Sequence, residues 1–182
     1  MKVKKIIAVA TTFVMMITTS ASAMTVKYTP LGVPNINSSF KTYMDYRAIT
    51  NKASAQYKLI HTWGWCDSQG FMRVNGERDL GITDDYYMIA LGNYYGTTMG
   101  TKYRITTDTG NVFYGILSDA KAYPEVNSTK QYGLRNKDIV ECLVYTPKLN
   151  KDVKRMGSAN VYMPLNGSIT KIERIDFIQN EP

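Results

Sequence analysis

The stretch from Tyr87 to Ala122 constrains this chain most. It packs strand-like runs, a glycine-rich loop and a tight turn into one continuous segment. Tyr87 to Leu91 is short, apolar and bounded by Gly92, which predicts a buried strand rather than a helix. Thr101 to Thr107 alternates. Tyr103 and Ile105 point one way, Lys102, Arg104 and Thr106 the other, as in a strand with one wet face. Asp108-Thr109-Gly110-Asn111 is rich in residues that tolerate positive φ, and Val112 to Leu117 resumes the alternation, so a hairpin is predicted. This last run ends at Ser118-Asp119, which sets a carboxylate at the rim of a sheet, within reach of water and ligands.

The rest of the chain reads as the remainder of a small barrel. Met24 to Asn37 holds Pro30, Gly32 and Pro34 and is read as an extended leader. Ser38-Ser39 caps a predicted short helix over Phe40 to Arg47, and Gln56 to His61 is read as a strand. Phe71 to Val74 leads as a strand into the hairpin-type dipeptide Asn75-Gly76. Tyr123 to Asn136 is a surface loop, and Asp138 to Tyr145 a strand with Val140, Cys142 and Val144 on one face and Glu141 on the other. Leu149 to Gly157 is a short exposed helix or loop, and Val161 to Met163 a brief strand. In Gly167 to Ile178 the isoleucines recur every third residue, and β-branching favours a strand. Strands dominate without a βαβ rhythm, so the expected class is all-β, closed or nearly closed, with one or two short peripheral helices and a single domain over residues 38–182.

Residues 1–23 carry a basic start, an apolar run from Ile6 to Ile17 and the exit Ala21-Ser22-Ala23, the pattern of a secretory signal peptide. The run is shorter than the roughly 20 residues a membrane span needs, and no later segment is apolar enough to cross a bilayer, so no integral membrane segment is expected after cleavage. Three of the lysines behind the formal charge of +7 lie in this leader, and the remaining basic residues are scattered. That distribution argues against nucleic acid as a partner and leaves a mild attraction to anionic surfaces such as a cell wall. An exported chain permits a disulfide between Cys66 and Cys142; two separate buried thiols fit equally well. One histidine, His61, and two cysteines do not make a zinc set, and Gly92, Gly96 and Gly100 form no phosphate-binding fingerprint, so neither a metal nor a cofactor is expected.

Several segments together carry a resemblance. Phe40 to Leu59, Tyr86 to Thr106, Thr109 to Ala122 and Asp138 to Val144 resemble a family of small exported proteins of Gram-positive bacteria and their phages. The central part is similar to the three-aspartate domain of cell-wall lytic enzymes, a double-psi β-barrel shared with lytic transglycosylase A, rare-lipoprotein-A-like proteins and expansins. Thr98-Met99-Gly100-Thr101-Lys102-Tyr103 resembles that domain's signature segment, Asp119 falls at its second aspartate and Glu141 at its third. Leu91-Gly92 occupies the place of the first, and Ala120-Lys121-Ala122 replaces the glycines after the second.

What the resemblance implies is engagement of cell-wall polysaccharide, with peptidoglycan cleaved as by a lytic transglycosylase, or bound without cleavage on the same barrel. Glycan cleavage needs a proton delivered to the leaving oxygen, and one carboxylic acid suffices when the sugar's own hydroxyl attacks. Asp119 is the expected acid and Glu141 the partner whose charge raises its pKa; Lys121, a candidate substrate-binding residue, would oppose this by favouring the carboxylate. The competing reading makes Asp119 an acceptor of backbone N–H groups in a tight turn. Trp63, Trp65, Tyr94 and Tyr95 are candidates for a sugar-stacking platform, against ordinary core packing. Fourteen tyrosines against five phenylalanines favour wet, half-buried aromatic surfaces.

Overall fold

The computed structural model describes residues 24–121 and 124–179. The expected signal peptide lies outside the described residues. β5 (Tyr86–Leu91) stands at the centre, and all six of its residues are buried. Tyr87, Ile89 and Leu91 enter one hydrophobic core; Tyr86, Met88 and Ala90 enter a second on the other face. A strand buried on both faces has no polar face to alternate with, which is why this segment is uniformly apolar.

β6 (Lys102–Thr107) and β7 (Val112–Ala120) form the expected antiparallel hairpin, closed by a hydrogen bond from the Gly110 amide to the Thr107 carbonyl at 3.0 Å. Burial alternates along β6, with Tyr103 and Ile105 in the larger core. β7 runs parallel to β5. Along its other edge β5 meets β4 (Met72–Val74) over its first half and β8 (Glu141–Val144) over its second, both antiparallel. The sheet's path is completed by β9 (Ile169–Gln179) beside β6, β1 (Met24–Leu31) beside β9, and β3 (Trp65–Cys66) beside β4; β2 (Thr42–Asp45) lies parallel to β8. The described strands make one mixed, mostly β architecture whose path from β1 to β3 is open. No helix among the described residues is long and apolar enough to cross a membrane.

Four local expectations are corrected. Met24–Leu31, read as part of an extended leader, pairs antiparallel with β9 along its whole length. Pro30 is tolerated because β1 has a neighbour on one side only. The helix expected over Phe40 to Arg47 is instead β2, followed by a 3-10 turn at Tyr46–Ala48. Tyr43 packs on one core and Met44 on the other, so period-two contacts override the local helical pattern. The strand expected at Gln56 to His61 is α1 (Ala55–Trp63), started by Ser54, whose Oγ accepts the Tyr57 N–H at 3.1 Å. Val161 to Met163 belongs to two 3-10 turns, Ala159–Val161 and Met163–Leu165, where Pro164 has no N–H to give a ladder. The exposed segment at Leu149 to Gly157 does contain a helix, α2 (Lys151–Met156).

Cys66 and Cys142 are free thiols. Cys142 is fully buried in the larger core, while Cys66 packs against the second. The two thiols thus belong to different cores and are not bridged in this structure. Burial pushes the Cys142 thiol up to about 12.

Candidate functional site

The site is built around Ala90. In β7 the register slips between Leu117 and Asp119, leaving Ser118 as a surplus residue, so that Ile89 pairs with Leu117 and Ala90 with Asp119. On the opposite edge of β5, Ala90 pairs with Glu141. Asp119, Ala90 and Glu141 therefore form one row across three strands, and paired residues share a face. Strand spacing puts the Cα atoms of the two acidic residues about 10 Å apart. A regular β7 would have set Ser118 in this row and turned Asp119 to the other face; the bulge re-aims the carboxylate.

Glu141 lies on the wall of a pocket of about 390 Å³, with Thr42, Lys121, Glu125, Arg135 and Asp138 also lining it. Its side chain is 25% exposed. Burial raises the Glu141 pKa above the usual carboxylate range; the Lys121 cation opposes this, and the negative charges of Asp138, Asp119 and Glu125 add to it. The consequence is a carboxyl group that holds its proton at a higher pH than an ordinary glutamate while still facing solvent. Asp119 is half-buried, accepts the Ala120 N–H at 2.9 Å, and does not line the pocket. The two acidic residues are brought together as neighbours across Ala90. Glu141 carries the raised pKa, and Asp119 supplies part of the charge that raises it.

Lys121 is nearly buried and pairs with Asp138, with Glu141 Oε2 3.8 Å away. Asp138 Oδ2 also accepts the Thr42 hydroxyl at 2.6 Å. The Lys121 amide donates to the Leu91 carbonyl at 3.0 Å, which fixes the residue at the end of β5. Above this pair the loop from Pro124 to Lys137 folds back: the Gly133 amide donates to the Asp138 carbonyl at 2.9 Å. A Cβ at Gly133 would come within 2.4 Å of Asp138 Oδ1, so only glycine lets the loop settle onto the ion pair. Asp138, Thr42, Glu125 and Arg135 were not singled out from the sequence. Asp138 heads the strand segment containing Glu141, but nothing local to it names Lys121 as a partner.

The four aromatic residues do not form one platform. Tyr95 is 3% exposed and belongs to the larger core. Tyr94 is 47% exposed, its ring edge-on to Tyr95 and its hydroxyl 2.6 Å from where a Cβ on Gly32 would stand. Trp63 and Trp65, 66% and 40% exposed, are near a separate cleft, where Trp63 lines the wall and the Trp65 indole N–H donates to Asn75 Oδ1 at 3.0 Å. That cleft shares no lining residue with the Glu141 pocket. His61 stacks on Tyr57 at 3.7 Å, with Nδ1 2.9 Å from the Tyr57 carbonyl; a carbonyl only accepts, so Nδ1 holds the proton and the ring is engaged within its own helix. No group of His, Cys, Asp and Glu side chains able to hold a metal ion occurs among the described residues.

Chemically, the pocket presents, at the start of β8, a partly exposed carboxyl group that binds its proton more tightly than usual, with the Lys121–Asp138 ion pair beside it. Such a set can deliver a proton and take it back. No known protein family, curated protein or solved structure matches this chain.

Proposed function

We propose that this chain is an exported protein that engages cell-wall glycan and cleaves it with Glu141 as the proton donor. The observation that carries the reading is the raised pKa of a partly exposed carboxyl group on the wall of a polar pocket. In the proposed step, Glu141 gives its proton to the glycosidic oxygen and the bond from that oxygen to the anomeric carbon breaks. A hydroxyl of the same sugar closes onto the anomeric carbon, forming an anhydro ring, and its proton returns to the Glu141 carboxylate. The atoms balance without water, metal or cofactor. Asp119 acts through its charge, which favours the protonated form of Glu141 before transfer. The scaffold we propose is of the double-psi barrel kind. Supporting it are the parallel pairing of β5 with β7 and of β2 with β8 around the site.

The test is incubation of the chain from residue 24 onward with purified peptidoglycan, followed by chromatography for anhydro-sugar products. Products are expected from the unmodified chain, and Glu141→Gln should lower their rate by about 100-fold or more. A chain that folds and yields no product overturns the enzymatic reading. The second reading, a binding module on the same scaffold, is favoured by the internal satisfaction of the Lys121–Asp138–Thr42 group. It expects sedimentation with peptidoglycan that Glu141→Gln leaves unchanged.

A further inference from the structure

We infer that the cleft beside Trp63 is a second, non-catalytic binding site for an N-acetylated saccharide ring. The cleft is about 460 Å³, within the range of small-molecule sites. Leu59, Val74 and Ile116 supply its apolar lining beside Trp63. Trp63, at the last position of α1, stands at its wall with most of its surface in water. A soluble protein does not gain by leaving so large an apolar ring exposed over a concave surface, and such a ring is the usual partner of a flat ligand with one apolar face.

The polar groups of the cleft are fixed in place and incompletely used. Glu77 takes the Lys102 ammonium on one carboxylate oxygen and the Tyr86 hydroxyl on the other. Each oxygen retains a lone pair for a ligand donor. Lys102 is itself held above the rings of Phe177 and Tyr86, at 4.9 and 5.4 Å from their centres, and keeps N–H groups to donate. Asn75 uses its carbonyl oxygen to hold the Trp65 indole, which leaves its amide NH₂ without a partner among the described residues. Immobile acceptors and donors side by side match hydroxyl groups, which both give and receive hydrogen bonds. The apolar lining beside the same ring matches an acetamido methyl group. A nucleotide or other phosphate ligand would bring its charge against Glu77, and a purely apolar ligand would strand Glu77, Asn75 and Lys102 without water.

The site's geometry does not depend on the acid at Glu141, and the reading above supplies only the polymer on which such rings occur. The experiment is titration calorimetry of the chain with the β-1,4-linked tetramer of N-acetylglucosamine, with the glucose tetramer as a control. Saturable binding of the acetylated tetramer is expected, weakened about tenfold or more by Trp63→Ala and by Asn75→Ala. Both side chains are exposed, so melting temperatures should match the parent and exclude misfolding as the cause. Binding of the acetylated tetramer with glycan cleavage absent sinks the catalytic reading alone; cleavage with no tetramer binding sinks this one. Equal affinity for the glucose tetramer, or an unchanged affinity in Trp63→Ala, also overturns the assignment.

Discussion

Three buried or half-buried ionisable groups, Lys41, Cys142 and Glu141, set how stability depends on pH. Lys41 is fully buried, and its ammonium donates to the Gly167 carbonyl at 2.7 Å and to the Ser39 carbonyl and Asn160 Oδ1 at 3.2 Å. All three acceptors are neutral, so burial dominates and lowers its pKa from 10.5 to about 8. Below pH 8 both folded and unfolded chains hold this proton, and the cost of the buried charge is fully present. Between pH 8 and 10.5 the folded chain releases it first, the unfolded state binds more protons, and stability attributable to Lys41 rises with pH. Cys142 works against this above its unfolded value, since its thiol stays protonated in the fold. Urea unfolding of the parent and of Lys41→Met, compared pair by pair from pH 7 to 10, isolates the lysine. The parent should gain on the variant by on the order of 2–3 kcal/mol; a flat difference would mean that the folded lysine keeps its ordinary pKa. Glu141 runs the other way. Its folded pKa is raised, so its contribution to stability falls as pH rises through the interval between the unfolded and folded values. Carbon NMR titration of the Glu141 carboxyl should give a midpoint above the usual glutamate range. In Asp119→Asn the midpoint should move down but stay raised, because burial is the larger cause. No movement in that variant would separate the two acids.

At the scale of single elements, bulges settle what alternation alone leaves open. Ser118 is the surplus residue of β7, with its hydroxyl turned back onto the Ile116 carbonyl at 3.1 Å. Deleting Ser118 should leave Asp119 opposite Ala90 and the chain folded, with a loss of roughly 1–2 kcal/mol. Deleting Ile116, two residues earlier and inside the regular ladder, should cost several kcal/mol more, on the order of a lost core side chain, since it turns Leu117 out of the larger core and Ser118 into it before the register is regained at Asp119. Thermal melting by circular dichroism distinguishes the two; equal damage from both deletions would remove the bulge as the device that aims Asp119. The isoleucines of β9 illustrate the same effect. Ile169 and Ile172, three residues apart, reach one core because the register shifts between them opposite Thr106 and Thr107. Ile175 then falls on the other face, in the second core. A spacing between the helical and strand periods is thus a bulged strand.

For the whole molecule, stability rests on two cores on opposite faces of β5 rather than on a covalent clasp. A bridge over the long loop between Cys66 and Cys142 would contribute about 4 kcal/mol and shift melting by roughly 10 °C. Without it, melting temperatures with and without a reductant should agree within about 1 °C. A drop of several degrees on reduction would show that the thiols do pair in the oxidised chain. The central hairpin, β5 as a buried strand, the outward Lys102 and Arg104 of β6, and the strand carrying Glu141 were all legible from sequence. Each is set by contacts within a few residues or by a strict period of two. The misread segments share a cause. Met24–Leu31 and Thr42–Asp45 become strands only because β9 and β8, more than 90 residues away, offer them an edge. At α1 the local signal was present: Ser54 caps the helix, its side chain accepting from the Tyr57 amide.

A β-rich chain organised around Tyr87 to Ala122, with acidic residues at Asp119 and Glu141, is written into the order of residues, because backbone alternation and turn chemistry are local properties. That these two share a row through Ala90, that burial raises the Glu141 pKa and that Lys121 pairs with Asp138 come from the folded arrangement alone. Register, burial and the sum of neighbouring charges depend on which distant strands meet, and that is fixed by packing both cores at once.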